Sequence, residues 1–91
     1  MGNTQHQTVN EHGLTFRTWR GKVDLIFSAA IGIDTRCLPE CPEVDLRGEW
    51  EDGVHPCDTA REAAFFLTED SPDAQPLMNL VMAEADRVDP R

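Results

Sequence analysis

With 17 Asp and Glu against 8 Lys and Arg in 91 residues, the chain carries a formal net charge of −9 at pH 7. So acidic a surface repels nucleic acid and anionic membranes and attracts basic surfaces, including those that handle nucleic acid. The hydrophobic content of 40% excludes wholesale disorder, and the length supports one core with little room for a deep catalytic cleft.

The charge is unevenly placed. Residues 1–33 hold Glu11 and Asp24 against Arg17, Arg20 and Lys22, whereas residues 34–91 hold fifteen carboxylates against five arginines. Residues 1–12 are polar and read as a flexible arm, followed by a single helical domain over residues 13–91. Phe16, Trp19, Val23, Ile26, Phe27 and Ala30 recur at steps of three and four, predicting an amphipathic first helix. Thr15 is its expected N-cap and Gly32 its left-handed C-terminal cap.

The middle of the chain is punctuated. Asp34 is placed to cap one helical turn through Leu38, and the prolines at 39 and 42 force extended backbone before them. Val44, Leu46 and Trp50 are spaced for a two-turn helix ending at Gly53, with an irregular acidic loop as the alternative. His55-Pro56 opens a further helix with proline in the first helical position, and Ala60, Ala63, Ala64 and Leu67 form its inner stripe. A last helix is predicted from near Pro76, with Leu77, Leu80, Val81, Glu84 and Val88 on one face and Met78 and Met82 beside it. The expected fold is all-α: a small bundle of three main helices plus one or two short helical turns in the middle.

Several of these elements, taken together, resemble a family of uncharacterised short phage and plasmid proteins over roughly residues 16–67. The shared features are an aromatic-rich helix ending in Val23-Asp24, then Gly32-Ile33-Asp34, Leu38-Pro39, and an acidic aromatic segment closing on Glu51-Asp52-Gly53. A helix start from Pro56 to Ala64 completes them. His55 stands where that family usually has Ser. The resemblance implies a mobile-element origin and no particular chemistry, because the matching residues read as caps and turns.

Three constellations are candidates for function. Cys37, Cys41, His55 and Cys57 supply the donor types of a structural zinc site, although their spacing is not that of a known metal knuckle and free cysteines are common core residues. A disulfide between Cys37 and Cys41 is the other use of that set. Cys57 near a helix start, with His55 close in sequence, has the elements of an activated nucleophile but no adjoining oxyanion turn. No phosphate loop, calcium loop or dinucleotide-binding turn is present. The expectation is therefore a protein without enzymatic activity and without a cofactor.

The third constellation is the acidic run over residues 40–52. Glu40, Glu43, Asp45, Glu49, Glu51 and Asp52 surround Arg47, with Trp50 among them as a candidate interface anchor. Carboxylates in such an array imitate a phosphate backbone and steer the protein toward a basic groove. The predicted partner is the basic surface of a host protein or nucleic-acid-binding complex, met without direct contact to nucleic acid or membrane. The resemblance implies inhibition of a host defence complex in the manner of an anti-CRISPR protein. No basic region followed by an apolar run is visible in the first residues, and the longest apolar stretch, residues 25–33, is too short to span a bilayer, from which cytoplasmic residence is expected. A homodimer through residues 77–88 is a further expectation from the apolar last helix.

Overall fold

The computed structural model describes residues 8–38 and 41–89, and within them the fold is all-α. Four α-helices follow in order, α1 (Phe16–Ile31), α2 (Glu43–Glu51), α3 (Pro56–Asp70) and α4 (Gln75–Val88). Single 3-10 turns lie at Thr35–Cys37 and at Pro72–Ala74. Helices α1, α3 and α4 each pack on the other two, and the shorter α2 lies against α1 and α3. No helix among the described residues is long and apolar enough to cross a membrane.

The helix ends follow from local chemistry. Thr15 Oγ1 accepts the Thr18 amide at 3.2 Å, satisfying one of the orphan donors at the start of α1. At its other end Gly32, with φ at 76°, donates its N–H to the Ser28 carbonyl in the left-handed cap. Asp34 caps the 3-10 turn through the Arg36 amide at 2.9 Å. No side chain caps α2 behind Pro42, but Glu43 and Asp45 in its first turn favour the positive end of the helix dipole. His55 caps α3, its Nδ1 accepting the Cys57 amide at 3.3 Å.

The core is built from Trp19, Val23, Ile26 and Phe27 of α1, Leu46 and Trp50 of α2, Cys57, Ala60 and Ala64 of α3, and Met78, Val81 and Ala85 of α4. The stripe of α1 is the one expected from its spacing. That of α4 is rotated by about one residue: Met78, Val81 and Ala85 face inward, while Leu77, Leu80 and Val88 are half-exposed. Small Ala85 lets α4 approach closely, and flexible Met78 fills the remaining gap. The expected inward face of α4 is therefore largely its outer one, except for Val81.

Two indoles interlock the first half of the molecule. Trp19 on α1 donates from Nε1 to the Val54 carbonyl, just beyond α2, at 2.8 Å. Trp50 on α2 donates from Nε1 to the Leu14 carbonyl, just before α1, also at 2.8 Å. Phe16 packs between them, 6.2 Å from the Trp19 ring and 5.7 Å from that of Trp50.

The chain is tied down well before α1 begins. Asn10 Nδ2 donates to the Trp50 carbonyl at 3.1 Å, and His12 Nε2 donates to the Gly53 carbonyl at 2.9 Å. Residues 8–12, which the sequence reading assigned to the arm, are thus held against the end of α2, and residues 1–7 lie outside the described residues. At the opposite end Arg61 clips α3 to α4, with Nε bonded to Asp86 at 2.8 Å and Nη2 donating to the Asp89 carbonyl at 2.8 Å.

Candidate acidic interface and donor cluster

The acidic segment separates into distinct environments once α2 is formed. A helix turns successive residues by about 100°, so carboxylates contiguous in sequence need not share a face. Glu43 turns toward α1, accepting from Arg20 Nη1 at 3.0 Å and lying 3.7 Å from Arg47. Asp45, Glu49 and Asp52 turn the other way and, with Glu62 of α3, border a groove of about 420 Å³ between α2 and α3. Glu51 is exposed outside that groove, and Glu40 lies outside the described residues.

Trp50 is not an interface anchor. It is only 5% exposed, with its indole N–H satisfied inside the molecule. Its position among charged neighbours conceals this in the sequence, because Leu46 and Trp50 are the inward residues of an otherwise outward-facing helix. The apolar surface of the groove is supplied instead by Val44, 75% exposed, and Phe66, 50% exposed. Glu62 and Phe66 are one helical turn apart on α3, a pairing that becomes meaningful only once α3 is seen to border α2.

No basic side chain among the described residues pairs with Asp45, Glu49, Asp52 or Glu62. The arginines at 20, 36, 47, 61 and 87 are all directed to other carboxylates. Glu49 is the innermost of the four and accepts from Thr59 Oγ1 at 2.9 Å. Partial burial pushes its pKa above the usual carboxylate value against the lowering effect of the Thr59 bond, with Glu62, Asp45 and Asp52 adding repulsion.

The cysteine set does not assemble as its spacing invited. Cys37 is exposed in the 3-10 turn, Cys41 is buried beside the acidic groove, and Cys57 is buried at the start of α3, and none of the three is in a disulfide. Among the described residues, the group of His, Cys, Asp and Glu donors close enough to share an ion is His55, Cys57 and Asp89. Cys37 and Cys41 are not part of it. Asp89 lies just past α4 and reaches the cluster only through tertiary folding.

Beside this cluster an apolar cleft of about 430 Å³ runs between α1, α3 and α4. Leu25, Ile26, Ala29 and Val88 line its walls, and His55 and Cys57 reach it from the start of α3. Comparison of the chain with protein-family models, curated proteins and solved structures yields no significant match to any of them.

Proposed function

We propose that this chain is a small non-enzymatic interaction module that seats a basic surface of a partner protein in the acidic groove between α2 and α3. The observation that carries this reading is the set of groove carboxylates, Asp45, Glu49, Asp52 and Glu62, with no basic side chain among the described residues paired to them while Arg20, Arg36, Arg47, Arg61 and Arg87 pair with other acids. The repulsion that Glu62, Asp45 and Asp52 exert on Glu49 is a cost retained in the folded protein, and a cationic partner would relieve it. Val44 and Phe66 add apolar contact at the same groove, so the fitting partner presents Arg or Lys around an apolar residue.

Basic surfaces of that kind are those with which proteins hold nucleic acid. The resemblance to phage and plasmid proteins directs the proposal to a host nucleic-acid-binding defence complex, inhibited by occupation of its basic surface in an anti-CRISPR-like manner. The test is capture of partners by immobilised chain from nuclease-treated host lysate at low and high salt, followed by competition with nucleic acid for the purified partner. Reversal of Glu49, Asp52 and Glu62 to Lys is expected to abolish capture. Reversal of Glu69, Asp70 and Asp73, acidic residues outside the groove, is expected to preserve most of it. Equal loss in both triple variants would attribute binding to bulk charge and overturn the groove.

A further inference from the structure

We propose that His55, Cys57 and Asp89 form a binding site for a zinc-type divalent ion that ties the start of α3 to the end of α4. The inference is independent of the acidic groove. The three candidate donor atoms, an imidazole nitrogen, the thiol sulfur and a carboxylate oxygen, all lie within 4.8 Å of one another. His55 Nδ1 is 3.7 Å from Asp89 Oδ2. Zinc bonds of about 2.0–2.3 Å in a tetrahedral arrangement set donors roughly 3.3–3.7 Å apart. Closure around an ion thus shortens the donor separations by at most about 1.5 Å, within the reach of small χ rotations shared between the side chains.

The surroundings already orient these donors. Nδ1 accepts the Cys57 amide at 3.3 Å, so its lone pair faces the start of α3. Pro56 fixes the backbone between His55 and Cys57. Arg61 holds the main chain of Asp89 at 2.8 Å and stands 3.9 Å from its carboxylate, fixing where the end of α4 lies. An ion at this position takes over the Nδ1 lone pair and replaces the 3.3 Å capping bond.

The donor chemistry selects the metal. One thiolate, one imidazole and one carboxylate suit zinc, whereas calcium and magnesium take oxygen donors. Binding releases the Cys57 thiol proton to solvent as the sulfur–metal bond forms. Three protein donors leave a fourth position, and since both His55 and Cys57 line the apolar cleft, that position opens toward it. Water, or a donor atom of a molecule in the cleft, completes the coordination.

The test uses the full chain, freed of metal and titrated with Co²⁺ as a spectroscopic stand-in for Zn²⁺, with circular dichroism confirming the fold of each variant. One Co²⁺ per chain, bound with a near-ultraviolet thiolate-to-metal charge-transfer band and displaced by Zn²⁺, is the expected result. Cys57→Ser is expected to remove the band, and His55→Gln and Asp89→Ala to weaken binding by about tenfold or more. These last two substitutions lie at helix termini rather than in the core, so they carry the test if Cys57→Ser fails to fold. Cys37→Ser and Cys41→Ser are expected to leave binding unchanged. Absence of the band in the parent chain, its survival in Cys57→Ser, unchanged affinity in both His55→Gln and Asp89→Ala, or its loss in Cys37→Ser would each overturn the site.

Discussion

Substituting Trp50 by Phe separates a core role from an interface role at this residue. The change keeps an aromatic ring against Phe16 but removes the Nε1 donor to Leu14 and part of the indole volume. The Leu14 carbonyl still receives the Asn10 amide at 3.0 Å, so it is not orphaned and the lost hydrogen bond costs about 1 kcal/mol. A residual void of roughly 40 Å³ adds about another 1 kcal/mol. For a domain of this size the expected total of about 2 kcal/mol lowers Tm by roughly 8–16 °C. Urea or thermal unfolding followed by far-ultraviolet circular dichroism measures it. Stability within about 0.5 kcal/mol of the parent, together with lost partner capture, would refute the core assignment and return Trp50 to the interface.

The other stability predictions concern Glu49 and Gly53. Glu49 has a folded-state pKa above its unfolded value, so its ionised form opposes folding at neutral pH, and this cost is relieved as pH falls through the raised pKa. Glu49→Gln is therefore expected to stabilise the protein at pH 7, with the gain over the parent shrinking toward zero below the unfolded carboxylate range; urea titrations at several pH values read this. A gain that grows on acidification would reverse the sign of the argument. Gly53→Ala places a side chain at φ 79° and against Glu11, whereas the same change at Gly32 meets open space at φ 76°. Both are expected to cost about 1–2 kcal/mol, with Gly53→Ala the more severe and Glu11→Ala recovering the difference between them.

The sequence made much of this architecture legible because caps and periodicity act locally. Thr15, Gly32 and Pro56 mark helix ends through their own hydrogen-bonding and φ preferences, and the α1 stripe is dense enough in large apolar residues to leave one reading. In α4 apolar residues occupy two neighbouring faces, and only packing against α1 and α3 selects Met78, Val81 and Ala85 over Leu77 and Leu80. The functional surfaces were harder to read for the same reason. Charge density marks the acidic segment, but its division between Arg20 on one side and the Glu62 groove on the other depends on where α1 and α3 lie. Asp89 has no sequence signal at all as a companion to His55 and Cys57, since the end of α4 is brought to them by the Arg61 clip.

The reciprocal indole contacts bear on how the acidic groove meets a partner. Helix α2, nine residues long and without a side-chain N-cap, is too short to persist alone, yet its ends are joined to α1 through Val54 and Leu14. On the proposed reading, a partner approaching Asp45, Glu49 and Asp52 would meet a helix already formed and would spend no binding free energy on winding it. Recognition of the proposed kind would then be a collision between preformed shapes, its speed governed by ionic strength and orientation rather than by a folding step.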